Sequence, residues 1–160
     1  MRALLDSSVL IAAYISRAGV CAELLEDVLM EHELVISECI LGELARKLRE
    51  KFAFPENEIT EIRESIVSSA EMVVPVEVPP TACRDSTDLP ILGTAVAGRV
   101  DVLITVDRDL LALGAHNGIP IIKPGEFWKQ AEQKNGIPPD STAAESLRPA
   151  DKKDRSHAGA

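Results

Sequence analysis

Six carboxylates stand where the chain changes character. Asp6 closes the apolar run Ala3-Leu4-Leu5, Asp107 and Asp109 follow Leu103-Ile104-Thr105-Val106, Asp85 and Asp88 precede a small-residue segment, and Glu43 lies six residues beyond Ser37. Acids crowded together repel one another, and one way to keep several ionised is to bind a hard divalent cation. Oxygen-only ligands suit Mg2+ or Mn2+, which can lower the pKa of a bound water and stabilise the attacking and leaving oxygens of a phosphoryl displacement. That chemistry needs no histidine. His32, His116 and His157 fall in a helix end, a loop and the tail, where surface or structural roles are expected.

Each acid also has a plainer explanation. Asp88, Asp107 and Asp109 stand at predicted helix N-termini, where an aspartate cap contributes ~1 kcal/mol. Glu43 can pair with Lys47 at i,i+4 for ~0.3–0.5 kcal/mol. Asp6 is least explained by capping, since Ser7 and Ser8 follow it and cap equally well. What capping does not predict is that these residues converge, and that depends on the elements carrying them.

Short aliphatic runs over 3–6, 34–37, 72–76, 102–106 and 119–123 read as strands, mostly continuous in their apolar character as buried parallel strands are. Helical spacing lies between them: 9–15 and 20–30 around a break at Gly19, a helix from Ser37 with Ile40, Leu41, Leu44 and Leu48 as its stripe, and 55–69. Further helices are expected over 89–97, with Pro90 in its first turn and Gly98 at its end, over 107–113 before Gly114, and over 124–130. This alternation predicts an α/β fold, an α/β/α sandwich with a central, mainly parallel sheet. Such sheets hold their sites at the carboxyl ends of the strands, which is where Asp6 and Asp107 fall. Glu43 falls on the shoulder of its helix's apolar stripe.

The chain has 160 residues, one ordinary domain with an appendage, and 17 basic against 26 acidic residues leave a formal charge of −9. Residues 131–160 contain only Ile137 and Leu147 as large apolar side chains, and their five basic and five acidic groups cancel, so the acid belongs to residues 1–130. The expected organisation is therefore a folded domain over 1–130 and a disordered tail over 131–160. Deleting 135–160 should leave thermal unfolding nearly unchanged; a loss above ~1 kcal/mol, large for a surface change, would mean that the tail packs on the body. The five aromatic residues are too few for the stacking platforms of single-strand binding modules, so any RNA would be held through its backbone and metal. Cys21, Cys39 and Cys83 have no C-x-x-C spacing and are expected to be small buried hydrophobes. No apolar run approaches the ~20 residues of a membrane helix, and an acid at position 6 precedes any signal-peptide core, so a cytoplasmic protein is expected.

Four segments carry a resemblance. Leu5-Asp6-Ser7-Ser8-Val9-Leu10, Ser37-Glu38-Cys39-Ile40-Leu41-Gly42-Glu43-Leu44, Arg84-Asp85-Ser86-Thr87-Asp88 and Thr105-Val106-Asp107-Arg108-Asp109-Leu110-Leu111 resemble, in order, the motifs of PIN-domain ribonucleases. They are most similar to the toxin components of bacterial and archaeal toxin–antitoxin systems. The resemblance spans residues 1 to about 128. It implies that Asp6, Glu43, Asp88 and Asp107 are the catalytic, metal-binding acids, with Asp109 an auxiliary ligand. It also implies that Ser7, Ser8 and Thr105 are the hydroxyls that orient a carboxylate or a metal water. Ser8 stands where an asparagine is common, which keeps an oxygen and drops the amide donor. The implied activity is Mg2+- or Mn2+-dependent cleavage of single-stranded RNA, and the implied partners are that RNA, an antitoxin protein and a second copy of the chain.

Basic residues near these motifs could form a phosphate-binding rim: Arg46, Lys47, Arg49 and Lys51 beyond Glu43, and Arg108 and Lys123 near strand ends. For Arg49 and Lys51 an ordinary solvated face, compensating the helix dipole, is the simpler expectation. A receiver-type signalling domain would also place acids, a hydroxyl and a lysine at strand ends, but the 72–76 run ends without the aspartate it needs. A haloacid-type phosphatase needs a second aspartate where Ser8 stands. A non-catalytic, metal-binding interaction module is separated from a nuclease only by turnover.

Overall fold

In the computed structural model, residues 1–134 are described. The tail from 135, with His157, lies outside the described residues. Two compact units are distinguished, Met1–Gly125 and a second beginning at Glu126.

The first unit holds a six-stranded sheet of order β3-β2-β1-β4-β6-β5. The strands are β1 (Arg2–Leu5), β2 (Glu33–Ile36), β3 (Ala70–Met72), β4 (Val102–Ile104), β5 (Ala115–His116) and β6 (Ile119–Ile122). All neighbours are parallel except β5 and β6. The helices are α1 (Ser7–Ile15), α2 (Val20–Glu31), α3 (Glu38–Glu50), α4 (Glu56–Ser69), α5 (Leu89–Ala97) and α6 (Arg108–Leu113). The second unit carries α7 (Phe127–Lys134), in which Phe127 and Trp128 meet edge to face at 5.9 Å.

This is the α/β sandwich read from the sequence, and its topology fixes where a site can form. From β1 the chain steps outward to β2 and β3, then returns across the sheet to β4 on the other side of β1. Right-handed crossovers in opposite directions place their helices on opposite faces, so a crevice opens at the carboxyl ends of β1 and β4. The core beneath is aliphatic: Leu4, Leu5, Leu34, Ile36, Leu103 and Ile104 are almost completely buried. On α3 the predicted stripe Ile40, Leu41, Leu44 and Leu48 is buried.

Four differences from the sequence reading have local causes. The run 72–76 is not the third strand. Pairing with β2 spans 70–72 and ends with Val73 N–H donating to Ile36 O, because Pro75 has no donor and Val76 N–H turns instead to Gly93 O at 3.2 Å. This crossing needs a glycine in α5, since a Cβ at position 93 would lie 2.2 Å from Val76 O. The helix expected over 9–15 begins at Ser7, because Asp6 rather than either serine is its cap. Ser37 precedes α3 without a side-chain capping bond, its hydroxyl being engaged with Cys39 and Thr94. Finally, β5 went unread although Asn117-Gly118, both at positive φ, make the tight turn that joins it to β6.

Candidate metal centre

Strand register brings the first acids to the edge. Leu5 pairs with Ile104, and Ile104 with Ile122, so Asp6, Thr105 and Lys123 each stand one residue beyond the sheet. The ladder continues through Asp6 N–H to Ile104 O and Thr105 N–H to Ile122 O, both 3.0 Å. Backbone pairing therefore holds this row in place.

Asp6 is 3% exposed and saturated with donors. Its Oδ1 accepts from Ser7 N–H at 2.6 Å, and its Oδ2 accepts from the hydroxyls of Thr105 at 2.7 Å and Ser8 at 3.0 Å. Burial nonetheless raises its pKa, outweighing these bonds, and the charge of Glu43 adds to the rise. Thr105, fully buried, is a hinge between two acids, since its Oγ1 donates to Asp6 and accepts from Asp107 N–H at 2.9 Å. Thr105→Val keeps the shape and removes both bonds. We expect a loss of about 1–3 kcal/mol in urea unfolding, with a change under 0.5 kcal/mol refuting the hinge.

Asp107 caps α6, its Oδ1 accepting from the N–H groups of Asp109 and Leu110 at 2.8 and 3.2 Å. Asp85 folds a tighter turn. Its Oδ1 accepts from Thr87 N–H at 3.0 Å and the Thr87 hydroxyl at 2.8 Å, which hold its pKa below the ordinary carboxylate range. These residues support the capping explanation.

Asp88 does not. It precedes α5 and is 5% exposed, yet its side chain makes no capping bond. Burial, followed by the charges of Asp107, Asp85, Asp6 and Asp109, pushes its pKa up to about 7. One carboxylate oxygen each from Asp85, Asp88 and Asp109 lie within 4.8 Å of one another. The tightest group is therefore not the quartet read from the motifs. Asp88 alone belongs to both, Asp109 enters from its auxiliary position, Asp6 and Asp107 act on Asp88 through their charge, and Asp85 joins from the sequence's own Asp85-x-x-Asp88 spacing, one turn apart. Asp85 stands among the six carboxylates singled out from the sequence, with no ligand role expected of it there.

Glu43 takes up the half-buried shoulder position expected of it and also makes the expected pair with Lys47, 2.8 Å away. It is near enough for its charge to act on Asp6. Of the basic residues, Arg46 pairs with Glu50 at 3.6 Å and Arg49 with Glu56, while Arg108 and Lys123 are exposed beside Asp107 and at the end of β6. Cys21 and Cys83 are buried as expected and Cys39 is exposed, because its position on the first turn of α3 faces away from the stripe; all three are free thiols.

The donor set fits a hard divalent cation. The ligand atoms available are carboxylate oxygens, and a buried carboxylate with no capping bond, beside other acids, is stabilised in its charged form by a cation.

A family model for the PIN domain matches residues 2–109, and the chain belongs to that family. The fold recurs in solved structures at low identity. VapBC2 from Rickettsia felis, bound to a DNA fragment from their promoter, is 14% identical with a TM-score of 0.54, over 77% of this chain and 98% of that one. VapBC-1 from nontypeable Haemophilus influenzae is 20% identical, again at 0.54, over 78% and 99%. PAE2754 from Pyrobaculum aerophilum is 18% identical at 0.54, over 83% and 91%. No curated protein matches the sequence. No helix among the described residues is long and apolar enough to cross a membrane.

Proposed function

We propose that this chain is a Mg2+- or Mn2+-dependent endoribonuclease that hydrolyses single-stranded RNA, acting in the cytoplasm as the toxin of a toxin–antitoxin pair. The catalytic domain is assigned to residues 1–130. The observation that carries this reading is Asp88: a buried acid with no cap to make, gathered with Asp85 and Asp109 at the switch point of a PIN-domain sheet. The VapBC neighbours support an antitoxin as partner. A second copy of the chain is the other partner proposed.

Asp6, Glu43, Asp88 and Asp107, with Asp85 and Asp109 beside them, would hold the cation. When bound, it would supply a water of lowered pKa and neutralise charge on the scissile phosphate. Ser7, Ser8 and Thr105 fix the orientation of Asp6, and Thr105 fixes Asp107 relative to it. Arg108 and Lys123 stand where they could meet the RNA backbone, and Arg46 could do so from α3 after leaving Glu50. Hydrolysis at this site would break the bond between phosphorus and the 3′ oxygen, water supplying the new oxygen of the 5′-phosphate and the proton of the 3′-hydroxyl.

The test is a labelled single-stranded RNA incubated with purified protein, with Mn2+ or with chelator. Internal cuts carrying 5′-phosphates, absent in chelator, are expected. Tight binding of Mn2+ without cleavage across varied sequences would turn the reading toward a non-catalytic interaction module.

A further inference from the structure

Cys83 lies five residues before Asp88 and is 6% exposed. Burial raises the pKa of its thiol, and the backbone N–H groups of Asp85 and Arg84 only partly oppose the rise. Its Sγ stands 3.9 Å from Asp88 Oδ2 with the geometry of a donor. A cysteine is a thiol at neutral pH, a weak donor and a weak acceptor. The Cys83 hydrogen has the Asp88 carboxylate as acceptor.

The other acids of the cleft are oriented by strong donors: Asp6 by an amide and hydroxyls, Asp107 by two amides, Asp85 by an amide and a hydroxyl. Asp88 has no such bond from the start of its helix. The hydrogen bond that does reach its carboxylate comes from Cys83. Ligating carboxylates are usually held by a partner behind them, and loss of that partner weakens metal binding even though it never touches the metal.

We propose that Cys83 is a positioning residue for the metal site, its thiol holding the Asp88 carboxylate in place beside Asp85 and Asp109. The proposal rests on reading that group as part of the nuclease's cation site. A cysteine that only fills space makes the opposite demand on its replacements. In a buried apolar niche alanine and valine should be tolerated at least as well as serine, whereas a donor role requires serine to surpass both.

The experiment compares full-length wild type with Cys83→Ala, Cys83→Val and Cys83→Ser, reading Mn2+ affinity by calorimetry, steady-state RNA cleavage and thermal melting. Mn2+ binding should weaken about 10-fold in the alanine and valine variants, the lower end of what outer partners of a metal contribute. The serine variant should fall between wild type and alanine, because a hydroxyl donates more strongly than the thiol, but its shorter bond to Cβ requires the Asp88 carboxylate to move toward it. At fixed, subsaturating Mn2+, kcat should fall in the same order while KM for RNA stays constant. If valine fails to fold, alanine against serine carries the comparison. Equal affinities in all variants, or serine no better than alanine, would overturn the thiol's role while leaving the nuclease reading standing. A wild type that neither binds Mn2+ nor cleaves RNA would sink both.

Discussion

Asp107→Asn abolishes metal-dependent RNA cleavage while leaving the fold intact: this is the expected result, and its second half makes the first interpretable. Asp107 Oδ1 accepts from the N–H groups of Asp109 and Leu110, and an asparagine carbonyl can accept both, being as good a cap as aspartate. What disappears is a charge aimed into the cleft. If that carboxylate contacts the cation, its loss withdraws several kcal/mol of transition-state stabilisation, about a thousandfold or more in kcat. Asp6→Asn should be equally inactive but is a less clean variant. Both Asp6 oxygens already accept from Ser7, Ser8 and Thr105, so the amide NH2 of an asparagine must face a donor, and melting should fall along with activity. Asp109→Asn should reduce cleavage without abolishing it, since the auxiliary position leaves the other acids in place. Ca2+ should bind and support turnover poorly, because its longer and looser coordination holds water and phosphate less tightly than Mg2+ does. Cleavage by Asp107→Asn at the wild-type rate, measured on the same RNA and with coincident melting curves, would remove Asp107 from the site.

Strands β1, β2, β4 and β6 are legible as continuous aliphatic runs, each within two residues of its observed bounds. The convergence of Asp6 and Asp107 followed from that, since residues just past adjacent parallel strands must be neighbours. Glu43 was legible from helical period alone, with its position on the stripe's shoulder and its partner Lys47 both foreseen. Errors arose where tertiary contacts outbid local pattern. Val73-Val74-Pro75-Val76 has strand composition, but it crosses α5 at Gly93 instead of extending the sheet. Capping was misjudged in both directions for a related reason. Asp6, the acid least explained by capping, is a cap, and Asp88, for which capping is the plainer alternative to metal binding, makes no capping bond. A sequence shows which residue stands before a helix; it does not show whether the carboxylate bends back to the helix or away into a cleft. The short Asp85 to Asp88 turn, held by Thr87, decides that here, and it also brings Asp85 into the group with Asp109.

The same misfit acid yields the second large effect. Asp88 has a pKa pushed up to about 7 from an ordinary 3.8, so the folded protein binds its proton more tightly than the unfolded chain does. Between about pH 4 and pH 7 the native state therefore carries more protons than the unfolded state, and stability falls as pH rises through that window. Below it the group contributes no penalty; above it the whole penalty is present. Asp6, raised by burial, acts in the same direction. Three pH units would correspond to about 4 kcal/mol at most, and water at the mouth of the cleft reduces this to about 1–2 kcal/mol. Asp88→Asn removes the charge and with it the penalty. The metal-free variant should be more stable than wild type by about 1–2 kcal/mol at pH 8, with the difference closing toward pH 4. Saturating Mg2+ reverses the ranking, because the ion stabilises the wild type by RT ln(1 + [Mg2+]/Kd) and finds a weaker site in the variant. Urea unfolding at pH 4, 6 and 8, with and without Mg2+, reads all of this in one series. A variant less stable than wild type at every pH, with its Mg2+ response unchanged, would return Asp88 to a purely structural role at the start of α5.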